Sequence, residues 1–138
     1  MNTISTATID TAYELTGPAD APVVMLSHSL ATNLAMWAPQ VTALAEEFRV
    51  LRYDSRGHGG SAVPPGPYAL ADLAADAVAL LDALDIPRVH WVGLSMGGMI
   101  GQQLGLEHAG RLLSLTLADT TSAVPAAAAP AWDERAAL

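Results

Sequence analysis

The sequence predicts an α/β protein built on a mostly parallel sheet with helices on both faces. Three observations predict it. Short apolar runs alternate with amphipathic stretches of about 10 to 15 residues, the order of βαβ units. Several runs are continuously apolar, as in strands buried on both faces. A Gly-x-Ser-x-Gly pattern, Gly93-Leu94-Ser95-Met96-Gly97, lies where one such run gives way to a helical segment.

Thr3–Ile9 and Ala12–Thr16 are rich in β-branched residues and read as two short strands. Gly17–Pro22 is a turn cluster, and Val23-Val24-Met25-Leu26 is a doubly buried strand followed by the small, polar loop Ser27–Ala35. Trp37, Val41, Leu44, Ala45 and Phe48 recur at helical spacing and predict a helix over Trp37–Glu47. Val50–Tyr53 is the next strand. Asp54–Tyr68 holds four glycines and three prolines and is a loop. Leu70, Leu73, Ala77, Leu81 and Leu84 form one helical face, with Asp72, Asp76 and Asp82 largely on the other. Val89–Val92 is a strand, Met96–His108 a helix and Leu112–Leu117 a strand. After Asp119 the texture changes: Val124–Ala131 is Ala/Pro-rich, and Trp132–Arg135 reads as the start of another helix. No self-similarity recurs at a fixed period.

The 138 residues, 51% hydrophobic, suffice for one compact domain. Charged residues make up only 14%, against about a quarter in typical soluble domains, which predicts that something covers much of the surface. Net charge is −8, and the six cations, Arg49, Arg52, Arg56, Arg88, Arg111 and Arg135, form no cluster. That argues against nucleic acid and against anionic membranes. The absence of cysteine excludes disulfides and a thiol nucleophile. Met1–Asp10 lacks a signal-peptide pattern, and no apolar run nears the roughly 18 residues of a membrane span, so the expected location is cytoplasmic.

Five-residue patterns with two glycines arise by chance. Here the strand before and the helix after are the context in which a serine nucleophile sits on a sharp, strained turn. Such a turn excludes bulk two residues to either side, and Gly93 and Gly97 satisfy that. Gly97, Gly101 and Gly105 continue as a bare stripe along the helix, which would let it lie close to the sheet. The helix N-terminus directs N–H groups toward Ser95, favouring a developing oxyanion. A second donor is expected from the loop His28-Ser29-Leu30, giving the backbone N–H groups of Leu30 and Met96 as the oxyanion pair. Taken alone, that loop would be an ordinary strand-to-helix connection. The pattern contains no metal-ligand spacing, and the chemistry needs no cofactor.

With these residues the chain resembles the α/β-hydrolase superfamily and, within it, the 3-oxoadipate enol-lactonases of the β-ketoadipate pathway. The likeness rests on Ser27-His28-Ser29-Leu30, Met36-Trp37, Arg52 to Gly59, Pro64-Pro65-Gly66-Pro67-Tyr68 and Gly93 to Met99. Asp54 to Ser61, D-x-R-G-x-G-x-S, belongs to the superfamily at large. The Pro-rich stretch and the Ser-Leu loop favour the lactonases. The resemblance implies the α/β-hydrolase fold, truncated before its last strands, with residues 1–123 as the N-terminal part of the core and 124–138 as the start of a cap. It implies that Ser95 attacks a lactone carbonyl, that a histidine takes its proton, and that water hydrolyses the acyl-enzyme. Ser29, Trp132 and Arg135 would contact substrate, Arg135 pairing with the free carboxylate of 3-oxoadipate or standing as a solvated helix arginine.

Family members are roughly twice this long, with the catalytic acid and histidine beyond residue 138. His28, His58, His90 and His108 are not expected to replace that histidine. Asp119, ending a strand, is a possible acid, and Asp54 is read as structural, ordering its loop with Arg56. The expectation is a poorly soluble, nearly inactive isolated chain, with residual catalysis of about 10³ to 10⁴ over water. Leu112–Leu117 would be an exposed apolar edge, and a second polypeptide would complete the fold and bring the missing groups. Other readings are an aryl esterase, cofactor-free haloperoxidase or acyl-homoserine lactonase of the same fold, or a non-catalytic assembly subunit.

Overall fold

The computed structural model describes residues 1–123, 126–128 and 130. Six strands form one sheet: β1 (Asn2–Ser5), β2 (Asp10–Thr16), β3 (Val23–Ser27), β4 (Arg49–Tyr53), β5 (Val89–Leu94) and β6 (Leu112–Ala118), in the order β1-β2-β4-β3-β5-β6. The first three in that order pair antiparallel, whereas β4, β3, β5 and β6 run parallel. Helices α1 (Ala38–Leu44), α2 (Leu70–Ala83) and α3 (Met96–Glu107) supply the crossovers. The predicted class, a mostly parallel sheet with helices on both faces, is the observed one.

Strand alternation divides the core. Met25, Leu51, Tyr53 and Trp91 pack with Leu73, Ala77 and Leu80 of α2 and with Ile100 and Leu104 of α3. Val24, Leu26 and Val50 point the other way, toward Trp37 and the partly buried Val41 and Leu44 of α1. All five residues of β3 are buried, which is why its sequence is continuous rather than alternating. At the sheet edge, Leu113, Leu115 and Leu117 of β6 are 43%, 37% and 41% exposed, the apolar edge expected from the sequence. Among the described residues no helix is long and apolar enough to cross a membrane.

Three local expectations are corrected. The predicted strand Thr3–Ile9 stops at Ser5, because Thr6 turns the chain: its hydroxyl donates to the Ile9 carbonyl at 2.8 Å and its N–H to the same oxygen at 3.1 Å. The helix predicted over Trp37–Glu47 is a 3-10 turn, Leu34–Trp37, capped by Asn33, followed by the short α1 with Pro39 in its first turn. Asp76, assigned to the polar face of α2, is only 2% exposed and receives a bidentate fork from Arg56 (Nε to Oδ2 2.5 Å, Nη2 to Oδ1 2.6 Å). Arg56 therefore pairs with Asp76 and not with Asp54. That contact holds the guanidinium more firmly protonated than usual. The Val124–Ala131 stretch is described only in part, as a 3-10 turn at Ala126–Ala128 and at residue 130, and Trp132–Arg135 lies outside the described residues.

Two ion pairs of the same chemistry have opposite expected worth. Asp76→Asn leaves the largely covered Arg56 guanidinium without its buried counter-charge and is expected to lower the unfolding free energy by about 3 kcal/mol. Asp82→Asn, which removes the 63% exposed partner of Arg111, should change it by less than about 0.5 kcal/mol. Urea denaturation of both variants checks the contrast, and equal effects would contradict it.

Candidate active site

Ser95 sits between β5 and α3 with φ 52° and ψ −109°, a left-handed conformation that costs a non-glycine residue about 1–3 kcal/mol. The surroundings hold it there. Its N–H donates to the Ala118 carbonyl of β6 at 2.9 Å. Its own carbonyl accepts three bonds, from the Gly98 N–H (2.9 Å), the Met99 N–H (3.1 Å) and the Thr120 hydroxyl (2.7 Å). A Cβ at Gly93 would overlap the Gly97 carbonyl, and one at Gly97 would lie 2.7 Å from the Ser27 carbonyl carbon. Those two glycines let the turn close and let α3 abut the end of β3. Gly101 is equally crowded, 2.6 Å from Trp91 Nε1, while Gly105 meets only a Leu115 methyl at 3.4 Å. The glycine stripe thus serves close approach at its N-terminal end. Gly98, outside the motif, is required as well, since a Cβ there would lie 2.6 Å from the Thr120 Cβ.

The loop after β3 lies beside this turn, because Gly97 packs on Ser27. Leu30 is exposed and Ser29 half-buried. Ala31 has φ 58°, turning the loop back. The N–H of Leu30 and that of Met96, first residue of α3, have no acceptor among the described residues. Ser95 Oγ likewise has no hydrogen-bond partner there, and the turn leaves it partly exposed.

Two histidines tie this loop to the Asp54–Ser61 loop. His28 is fully buried; its Nδ1 contacts the Ser29 carbonyl at 2.8 Å, and its Nε2 accepts the Ser55 N–H at 2.9 Å. That pair of partners selects the neutral tautomer protonated on Nδ1. Burial pushes its pKa below the usual histidine range. His58 repeats the pattern, Nδ1 toward the Arg56 carbonyl (3.0 Å) and Nε2 accepting from the Ala31 N–H (3.3 Å). Neither ring has a free lone pair for a proton from Ser95. His90 contacts Ser114 and His108 ends α3.

Asp54, 1% exposed, accepts from the Leu34 N–H (2.7 Å) and the Gly60 N–H (2.8 Å) and so orders the loop without Arg56. Asp119 is exposed, has φ 43°, and directly follows Ala118, the acceptor of the Ser95 N–H. The fold therefore brings Ser95, Met96, the Ser29-Leu30 loop and Asp119 to the same end of the sheet. Trp132 and Arg135 lie outside the described residues. Thr32 and Thr120 have no motif to mark them in the sequence, because their partners are set by tertiary approach, and Gly98 is legible only as part of the Gly93 to Met99 likeness.

Residues 22–137 match the family model of the α/β hydrolase fold. The chain is 39% identical over 137 residues to 3-oxoadipate enol-lactonase 2 of Acinetobacter baylyi, covering 99% of this chain and 51% of that protein. It is 45% identical over 128 residues to a protein of Variovorax paradoxus assigned as the carbamate hydrolase RutD, covering 91% and 48%. The crystal structure of a hydrolase from Pseudomonas aeruginosa PA01 superposes with a TM-score of 0.92 at 49% identity, over 99% of this chain and 51% of that one. The chain spans about half the length of the curated relatives it matches. It belongs to the α/β-hydrolase fold family.

The buried, neutral His28 carries a pH dependence whose sign follows from linkage. In the unfolded chain its pKa returns to about 6.5, above its folded value. Below that pH the unfolded state takes up a proton that the folded state refuses, so stability falls as pH drops from about 6.5 toward the folded pKa and is fully present above it. His28→Asn keeps a donor for the Ser29 carbonyl but does not titrate. Its unfolding free energy should decline less steeply between about pH 7 and 5 than that of the parent; parallel slopes would contradict the assignment.

Proposed function

We propose that this chain carries the nucleophile of a serine hydrolase acting on a carboxylic ester or lactone, with a lactone of the enol-lactone class as substrate. The observation that carries the reading is Ser95 held at φ 52° where α3 begins, its Oγ without a partner and the N–H groups of Met96 and Leu30 without acceptors among the described residues. In this reading Ser95 Oγ adds to the carbonyl carbon while a general base takes its proton. The carbonyl oxygen, now an anion, is received by the Leu30 and Met96 N–H groups. Collapse of the tetrahedral species breaks the bond to the enol oxygen, which takes the proton from the base as it departs, and leaves an acyl-enzyme. Water then adds to the acyl carbon, its proton going to the base, and Ser95 Oγ leaves with that proton as the carboxylic acid is released.

The base is a histidine from outside these residues, since His28 and His58 are engaged on backbone partners. Asp119 is the acid candidate within the chain, placed beside the serine turn. Ser29, Trp132 and Arg135 are the proposed substrate contacts. The remaining strands, the cap and the histidine come from further polypeptide, and the protein works in the cytoplasm on a small molecule without a cofactor. A carbamate is the second substrate reading, supported by the 45% identity to the protein assigned as a carbamate hydrolase. The same attack on a carbonyl carbon serves it, with an amine or ammonia leaving.

A fluorophosphonate probe tests the nucleophile. Intact mass and peptide mapping should place one adduct on Ser95, and Ser95→Ala should abolish it and lower turnover by about 10⁴-fold or more. Labelling that survives Ser95→Ala would remove the serine from the mechanism. Comparing rates on an enol-lactone and on a simple carbamate then decides the substrate class.

A further inference from the structure

Side chains grip from behind both peptide units whose N–H groups would face the reacting oxygen. A peptide unit is planar, with its C=O and N–H antiparallel, so whatever fixes the oxygen also aims the hydrogen. The Met96 N–H belongs to the Ser95–Met96 unit, and the oxygen of that unit receives the Thr120 hydroxyl at 2.7 Å in addition to two backbone donors. The Leu30 N–H belongs to the Ser29–Leu30 unit. The oxygen of that unit receives the Thr32 hydroxyl at 2.7 Å, His28 Nδ1–H at 2.8 Å and the Thr32 N–H at 3.3 Å. Thr32 also nears Met36 Sδ at 3.2 Å, but its single proton is better placed on the shorter, stronger contact.

We infer that Thr120, Thr32 and His28 are positioning residues that aim and polarise the oxyanion-hole donors Met96 N–H and Leu30 N–H. This rests on the serine-hydrolase reading and adds what prepares the hole before substrate arrives. Two physical effects act. The first is direction: the Ser95 backbone is in a left-handed conformation, and without Thr120 the plane of its following peptide is held only by the first turn of α3. The second is strength: a donor on the carbonyl draws charge through the amide and makes the opposite N–H a better donor, by roughly 10–30% per bond. Donors already oriented need no reorganisation as the negative charge forms, which is where such a hole gains its effect. Gly98 fits the same purpose. The absence of a Cβ there admits Thr120 close enough for its hydroxyl to reach the Ser95 carbonyl.

The test uses the intact protein and four variants: Thr120→Val, Thr120→Ser, Thr32→Val and Thr32→Ser. Inactivation by a fluorophosphonate separates the rate constant of phosphonylation from the affinity of the preceding complex. Thr120→Val should slow phosphonylation about tenfold with affinity unchanged, a fraction of the 10²- to 10³-fold loss expected when a donor is removed outright. Thr32→Val should slow it about threefold, because His28 and the backbone N–H of residue 32 still hold the Ser29 carbonyl. Both serine variants keep the hydroxyl and should recover most of the parental rate. Amide exchange gives a second readout that needs no chemistry at Ser95. The Met96 amide should exchange faster in Thr120→Val and the Leu30 amide faster in Thr32→Val, with the core amides of β3 and β5 unchanged. A parental rate in Thr120→Val, or a Thr120→Ser as slow as the valine variant, would overturn the assignment. If the parent itself takes no adduct, the serine-hydrolase reading fails. The exchange data then stand alone: local changes confined to Met96 and Leu30 keep the grip on both peptide units, and uniform ones refute it.

Discussion

A serine at φ 52° is unfavourable on its own, and the architecture around β5 and α3 is organised by having to keep it there. The carbonyl of Ala118 takes its N–H, Thr120 and the first turn of α3 take its carbonyl, and Trp91 Nε1–H holds the Gly97 carbonyl at 3.1 Å. Each of these contacts requires a particular approach of backbones, and the glycines at 93, 97, 98 and 101 mark where those approaches leave no room for a Cβ. The parallel pairing of β3, β5 and β6 supplies the frame: only adjacent, co-directed strands bring the end of β3, the serine turn and the exit of β6 to one edge.

The loop system beside the turn is ordered in a different way. Asp54 holds two backbone N–H groups with one carboxylate, and Ser61 links the Asp54 carbonyl (2.6 Å) to the Ala12 N–H (2.9 Å). His28 and His58, with ring centroids 5.0 Å apart, bond four backbone groups of the Ser27–Thr32 and Asp54–Ser61 loops. These loops have few apolar residues to pack, so their order comes from hydrogen bonds, of which those of Asp54 to Leu34, Ser61 and the His28–Ser55 pair are buried and costly to break. The Arg56–Asp76 fork then anchors the same segment to α2.

What was legible in the sequence follows from which interactions are local. The strands β3, β4 and β5 could be read from their apolar runs, and the serine turn from five consecutive residues in a strand-to-helix context. The family likeness extended that reading to the α/β-hydrolase fold. Asp76 was misplaced because helical period assigns it a face, while its burial depends on Arg56, 20 residues earlier on an irregular loop. Thr6 and Pro39 redirected the chain against a periodicity that ignores side-chain capping and proline. Thr120 and Thr32 carried no signal, since a threonine in a loop acquires meaning only from the carbonyl it meets.

Ser95 Oγ and the N–H groups of Leu30 and Met96 are proposed to act on one substrate carbonyl. A crystal structure of the intact protein with a phosphonate bound to Ser95 tests that most directly. The phosphoryl oxygen is expected about 2.7–3.1 Å from both the Leu30 and the Met96 nitrogens. A phosphoryl oxygen turned to solvent, or held by other groups, would contradict it.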